Sequence, residues 1–245
     1  MFDIPDETVN LPPLSQSTMI GALAAARLPL WWRLTYRLLA ERCIYCDTPG
    51  DLGEIDLCSG CLRALPWSHW LNAPENALFD YRPAVSRSLL ALKFGGEFRH
   101  AAVLGTLLGS YWRETLHHLE RPLIVPVPLH RDRLRERGFN QVAMLARYAS
   151  RVVGWPVYPQ LLIRARYTAP QTRLEAHQRH QNVQAAFSAA RPPISQEQAV
   201  ILLDDVVTTG ANLQAAGMAL KQAGYQVQLW AVARAMPTKM TSPIV

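Results

Sequence analysis

Two groups of residues in this sequence have the types and spacing to do chemistry. The first is Asp204-Asp205-Val206-Val207-Thr208-Thr209-Gly210-Ala211-Asn212. Five apolar residues, Ala199 to Leu203, stand before it, and Leu213 to Lys221 after it has the character of a helix in spite of Gly217. A buried strand, an acidic turn, a hydroxyl-and-glycine loop and a helix start make a place for a phosphate. The first N–H groups of a helix have no partner within it, and the dipole adds roughly half a positive charge there. Gly210 permits close backbone approach or a positive φ. Thr208, Thr209 and Asn212 supply side-chain donors, and Asn212 is also a residue type that caps helices. The ordinary alternative is a strand-to-helix turn with a solvated aspartate pair.

The second group is Cys43-Ile44-Tyr45-Cys46, eleven intervening residues, then Cys58-Ser59-Gly60-Cys61. Two such knuckles can wrap four thiolates around one tetrahedral Zn²⁺. Gly60 suits the second turn, and Pro49, Gly50 and Gly53 suit the hairpin between the knuckles. Arg42 and Arg63 are placed to offset part of the thiolate charge. With four sulfur ligands and no histidine the site reads as closed and structural. So short a ribbon lacks a core of its own, so the metal is expected to supply folding free energy. Disulfides or a redox dithiol are the other uses of the same thiols.

Two basic stretches accompany these groups. Arg131, Arg133, Arg135 and Arg137 alternate with Asp132 and Glu136 directly after the apolar run Leu123-Ile124-Val125-Pro126-Val127-Pro128. Arg137-Gly138 precedes a helix, so the arginines belong at the carboxyl edge of a sheet, where open α/β folds bind ligands. Guanidinium forks there would meet diphosphate or nucleic-acid phosphates, or else form a solvated face. The second stretch, Arg164 to Asn182, is long, polar and basic, and reads as a lid over a polyanion or as a surface loop.

The elements that position these groups alternate between strand and helix. Helices are expected from Arg87 to a glycine stop at Gly95-Gly96, from Ala101 to Leu119, and from Gln141 to about Val152. Strands are expected at Leu123–Pro128, Val157–Ile163, Val183–Phe187, the motif strand and Gln226–Ala233. The pattern predicts an α/β domain with a mainly parallel sheet flanked by helices. Residues 65–84, with Trp67, Trp70 and three prolines, read as a linker packed on that domain. Met19 to Glu41 carries apolar residues at helical spacing with arginines elsewhere. It is an amphipathic helix for a membrane surface, a nucleic acid or, more ordinarily, the rest of the protein.

At 245 residues, 49% hydrophobic and 18% charged, the chain is globular and not disordered. Its formal charge of +6 favours polyanionic partners. No stretch of membrane-spanning length is free of charge, so no span is expected. The acidic start, Met1 to Glu7, argues against a secretory signal, which puts the protein in the cytoplasm.

The Asp204-Asp205…Thr209-Gly210 element resembles the phosphoribosyl-diphosphate (PRPP) motif of type I phosphoribosyltransferases, in which Thr or Ser usually stands where Asn212 does. The double Cys knuckle, Leu92-Lys93-Phe94-x-Gly, Val125-Pro126-Val127-Pro128, Arg137-Gly138-Phe139-Asn140-Gln141, Gln171, Arg179-x-x-Asn182-Val183…Phe187 and the acidic motif occur in that order. The ordered set is similar to the ComF family of competence-associated, phosphoribosyltransferase-like proteins over about residues 41–236. The resemblance implies that Asp204 and Asp205 hold the ribose hydroxyls and a Mg²⁺ shell. It gives Thr208, Thr209, Gly210, Ala211 and Asn212 the 5′-phosphate and puts Val207 among the PRPP-binding residues. Arg137 and Gly138 fall on the diphosphate side, within a loop spanning 129–138, and residues 164–182 form a flexible lid. The division expected is an extension over 1–40, a zinc ribbon over 41–66, a phosphoribosyltransferase-like domain over 67–236 and a tail over 237–245. Asp204, Asp205 and Arg137 are the candidates for catalysis, Cys43, Cys46, Cys58 and Cys61 for structural zinc.

The function implied is binding of PRPP with Mg²⁺ and transfer of phosphoribosyl to an acceptor, in DNA uptake or use. Expected partners are PRPP or a nucleotide-like phosphate, single-stranded DNA, competence machinery and a second copy of the chain. A different class of function stands beside it. The ribbon, the arginines and Trp31, Trp32, Trp67 and Trp70 would bind single-stranded DNA by charge and stacking without turnover.

Overall fold

The computed structural model describes residues 42–48, 55–68, 74–164, 186–190 and 198–235. The expected extension over 1–40, the tail over 237–245 and nearly all of the lid lie outside these residues.

Two long strands form the centre. β5 (Ala199–Val207) and β6 (Gln226–Arg234) pair in parallel, with β1 (Asn76–Asp80) beside β6 and β2 (Leu123–Pro126) beside β5. The order is β1-β6-β5-β2, and every pairing is parallel. A parallel sheet has both faces covered, so its strands are apolar throughout. Val200, Ile201, Leu202 and Leu203 are all fully buried. Ile201 and Leu203 join the cluster built with α3 (Phe98–Thr115) and α5 (Gln141–Val153), where Trp112 meets Trp230 edge-on at 5.8 Å. Val200 and Leu202 face the other way, onto α6 (Ala211–Gln222) and a small antiparallel pair, β3 (Leu162–Arg164) with β4 (Phe187–Ala189).

Three sequence expectations change here. The supposed linker over 65–84 contains β1, whose Ala77, Leu78 and Phe79 are buried, while Trp67 packs on Phe79 at 4.8 Å. The strands expected near 157–163 and 183–187 become the short β3–β4 pair outside the main sheet, and Val157 makes only an isolated bridge to Ile124. The basic stretch expected as a loop over 129–138 folds as helix α4 (Arg131–Arg137), capped by the His130 side chain and ended by Gly138 at φ 78. A helix absorbs the alternating charges by placing Asp132 and Arg135 one turn apart.

The remaining helices are α1 (Ser59–Ala64) in the cysteine ribbon and α2 (Pro83–Leu90). α2 runs into a π-helical turn, Ala91–Gly95, stopped by Gly96 at φ 64, as the glycine pair predicted. α3 and α5 cross closely at two glycines one turn apart. A Cβ on Gly105 would lie 2.6 Å from the Leu145 carbonyl oxygen, and one on Gly109 2.6 Å from that of Ala149. Both contacts are to backbone, which cannot swing aside as a side chain can. Gly109→Val is therefore expected to lower unfolding free energy by about 2–3 kcal/mol. Chemical denaturation reads this, and an unmoved midpoint would mean that the helices do not meet there.

Candidate functional site

The acidic pair lies within β5, not in the turn after it as the sequence suggested, because the strand continues through Val207. Adjacent strand residues point to opposite faces, so the two carboxylates meet different surroundings. Asp205 is 6% exposed. Its Oδ2 accepts from Lys93 Nζ at 3.0 Å and from Gln141 Nε2 at 3.0 Å, and its Oδ1 accepts the Val206 N–H at 2.8 Å. Burial alone would raise this carboxyl, but Lys93 and the Gln141 amide hold it below the usual carboxylate range. Asp204 opens partly to the cleft while enclosed by protein around it. Its Oδ1 accepts the Asp205 N–H at 2.8 Å, and its Oδ2 has a long contact of 3.5 Å with Asn212 Nδ2. Burial and then the neighbouring Asp205 charge push Asp204 up to about 7. Asp205 has a close ion pair with Lys93, whereas Asp204 has only the longer-range charge of Arg164.

The donors around the pair come from three elements. Gln141 is 3% exposed at the first position of α5 and accepts from Arg137 at 2.6 Å while donating to Asp205. Asn140 caps that helix through the Val142 N–H and ties its own amide to the Val127 carbonyl, which fixes α5 to the end of β2. Lys93 comes from the π-helical turn. Lys93 and Gln141 line a cleft of about 320 Å³, whose wall also includes His130, Arg133, Arg137, Arg164, Asp204, Asp205 and Asn212. Among the residues expected, Arg137 joins the aspartates, whereas Gly138 ends α4 outside the lining.

A smaller cup of about 50 Å³ adjoins the cleft, lined by Asp204, Val206 and the segment from Val207 to Leu213. The loop from Thr208 to Asn212 lies within this one concavity, which shares Asp204, Val206 and Asn212 with the cleft. Gly210, not Asn212, caps α6, at φ 77, and Asn212 sits inside the first turn. A Cβ at Gly210 would come 2.6 Å from Glu75 Oε1. That glutamate is buried, accepts from the Gln214 amide, and pairs with Arg234 at 3.0 Å. Glu75 escaped the sequence reading because it sat in the supposed linker. Lys93 and Gln141 stood within motifs quoted for the resemblance, yet nothing in their spacing told of the shared carboxylate oxygen.

Comparison with known proteins agrees with these motifs. No family model matches the chain. It is 30% identical to Competence protein F of Haemophilus influenzae, across 79% of this chain and 97% of that protein. It is 31% identical to the DNA utilization protein YhgH of Escherichia coli K12, with the same coverage. The chain belongs to the ComF family. Competence protein ComFC of Streptococcus pneumoniae is more distant, 25% identical across 74% of this chain and 82% of its own. Among solved structures, a glutamine PRPP amidotransferase from B. subtilis, complexed with ADP and GMP, overlaps 54% of the chain and a quarter (25%) of its own length. The TM-score is 0.36 at 21% identity, too loose an overlap to decide anything about this site.

The ComF chain also gathers its four cysteines. The Sγ atoms of Cys43, Cys46, Cys58 and Cys61 all lie within 4.8 Å of one another, with Cys46 and Cys58 at 3.6 Å. Four sulfurs about 2.3 Å from a tetrahedral centre stand about 3.8 Å apart, so the donor set fits zinc in both chemistry and spacing. The Cys61 N–H already donates to the Cys58 sulfur at 3.3 Å. The ribbon, too short for a core of its own, shares that of the main domain. Ile55, Leu57, Leu62 and Leu65 are buried in one cluster with Val85, Leu89 and Leu92 of the helix before the cleft. Tyr45 accepts from Ser88 at 2.9 Å, and Arg99 bridges Asp56 at 2.6 Å and the Arg42 carbonyl at 2.7 Å. Arg42, expected to offset thiolate charge, pairs with Asp47 at 2.9 Å. Among the described residues no helix is long and apolar enough to cross a membrane.

Two outcomes follow. Chelator-free protein is expected to carry one zinc per chain, and stripping it to lower the thermal midpoint. Metal analysis showing none, with an unchanged midpoint, would remove the site. In metal-free buffer, Asp204 is protonated in the fold at pH values where the unfolded chain is already ionised. Its contribution to stability is therefore whole below about pH 4 and is lost as pH rises towards about 7. Asp204→Asn should match the natural protein near pH 4 and exceed it near about pH 8. Parallel stability–pH curves for the two would show that the carboxylate is not held neutral.

Proposed function

We propose that this ComF chain binds PRPP together with Mg²⁺ where the cup and the cleft join, in the service of DNA uptake or use. The observation that carries this is the pairing of the two concavities across Asp204. The cup offers the N–H groups and hydroxyls of Thr208 to Asn212 to one phosphate. The cleft offers Lys93, Arg133, Arg137 and Arg164 to a second anionic group. Between them stand carboxylates, which accept hydrogen bonds from hydroxyls and attract a divalent ion. A ligand with a monophosphate at one end, a diphosphate at the other and a sugar between matches that order. Asp204, which has no ion pair as close as that of Lys93 with Asp205, is the residue to hold Mg²⁺, and the metal would supply charge neutralisation for the diphosphate.

Transfer is the reaction such a complex would undergo. The bond from ribose C1 to the diphosphate oxygen breaks, the diphosphate leaves with the electron pair, and an acceptor's lone pair forms the new bond to C1. The chain contributes positioning and stabilisation of the departing charge through Arg137 and its neighbours. The relatives' names, competence and DNA utilization, support a setting in DNA handling. A second reading has one observation behind it: Arg131 and Arg135 of α4 are exposed and lie outside the cleft lining, as a surface for single-stranded DNA would require. Affinity for DNA falling steeply with salt while PRPP fails to bind would favour it.

Calorimetric titration of PRPP in the presence of Mg²⁺ tests the proposal. Saturable binding is expected, weakened at least about tenfold by Asp204→Asn, since that variant removes a charge from the metal and ribose side. Asp204 is the better probe than Asp205, whose ion pair with Lys93 also holds the fold. Equal affinity in the variant would mean that the ligand lies elsewhere.

A further inference from the structure

We propose that Lys93 is a built-in counter-cation of the aspartate pair, occupying on Asp205 the place that a divalent ion takes on ligand binding. The inference deepens the PRPP reading by naming how the same site is kept ready, and it begins from the occupancy of four oxygens. Asp205 Oδ2 already has two donors, Lys93 Nζ and Gln141 Nε2, each at 3.0 Å, and Oδ1 has the Val206 N–H. Asp204 Oδ1 has the Asp205 N–H. Only Asp204 Oδ2, with its 3.5 Å contact to Asn212, is weakly engaged. A divalent ion that enters finds Asp204 Oδ2 the least engaged of the four, and on Asp205 it meets the ammonium already bound at Oδ2.

The segment that brings Lys93 is built for such an exchange. Three successive side chains of the turn Ala91–Gly95 have three destinations. Leu92 is fully buried in the core, Lys93 reaches Asp205, and Phe94 is 74% exposed with the Arg137 guanidinium 5.5 Å from its ring centre. π-Helical turns are rare and recur at functional sites. The stop at Gly96 has open space where a Cβ would stand, and Leu92 anchors the turn in the core. The Lys93 side chain is 29% exposed and that of Asp205 9%, so the ammonium has a path into the cleft while the carboxylate stays behind. Arg137 stands on the same wall, linked to the pair through Gln141. An anionic group arriving there offers Lys93 a new partner as the ion takes its old one.

The consequence is ordered occupancy: a metal ion by itself competes with a resident ammonium, whereas metal and polyanion together do not. Mn²⁺ alone, followed by electron paramagnetic resonance, is expected to bind the natural protein weakly. Lys93→Met should raise that affinity about tenfold, because an opposing charge within about 4 Å has gone. The same variant should weaken PRPP binding in Mg²⁺. Unchanged or weaker Mn²⁺ binding by a folded Lys93→Met protein would overturn the proposal. Should that variant not fold, the natural protein with ¹³C-dimethylated lysines gives a second reading. The Lys93 signal should move as Mg²⁺ alone approaches saturation, and a stationary signal would equally overturn it. The two ideas fail separately. Gain of Mn²⁺ affinity with no PRPP binding by the natural protein would leave the counter-cation standing and remove the PRPP reading, and intact PRPP binding without that gain would do the reverse.

Discussion

Two carboxylates placed side by side near the end of a buried strand repel one another and lose water, and the rest of the site answers that difficulty. The strand alternation sends Asp205 inward, where Lys93 and Gln141 meet it, and leaves Asp204 towards the cleft with a raised affinity for a proton. The two answering side chains come from different elements. Lys93 arrives on a π-helical turn, Gln141 at the start of α5, and Asn140 binds that start to the end of β2. Three connections are thus gathered at one carboxylate. A buried charge with one partner removed costs several kcal/mol, on the order of 3–5, so these elements cannot drift without exposing an unpaired ion.

The parts legible in the sequence were those dictated by local rules. Five consecutive apolar residues before Asp204 could only be a strand covered on both faces, and the glycines at 95 and 96 could only stop a helix. Four cysteines in two knuckles announced their own cluster. What escaped depended on partners distant in sequence. β1 is a short strand in a stretch rich in proline and tryptophan, and only its pairing with β6, from Asn76 on Trp230 to Asp80 on Arg234, makes it one. The arginine stretch was read as a loop because alternating charge carries no helical signature, yet the His130 cap and Gly138 close it into two turns. The acidic pair looked like a turn because carboxylates are poor strand formers; hydrogen bonds to Lys93, Gln141 and Asn212 override that preference.

The cysteine ribbon changes meaning once its neighbours are known. Its apolar residues are inside the cluster that holds Val85, Leu89 and Leu92, the residue next to Lys93. The ribbon is therefore joined to the helix that ends in the site, through Tyr45 and Ser88, and to α3 through Asp56 and Arg99. The cysteine cluster and the helix that carries Lys93 to the carboxylate share one stretch of packed side chains, although the cysteines and aspartates lie far apart in the sequence.

The strand order also governs how the molecule is made. β1 leaves the ribosome early, yet its partner in the sheet is β6, the last strand described; β5 is likewise flanked by β2 on one side and that same late strand on the other. Parallel pairings between distant segments form slowly, since the closing loop must be ordered before the contacts reward it. Until synthesis passes Arg234, the nascent chain holds an exposed apolar strand on each side of an empty central position. The interval is one in which a chaperone has most to protect, and a chain truncated before β6 would keep only the β2–β5 pair of this sheet and leave β1 without a partner.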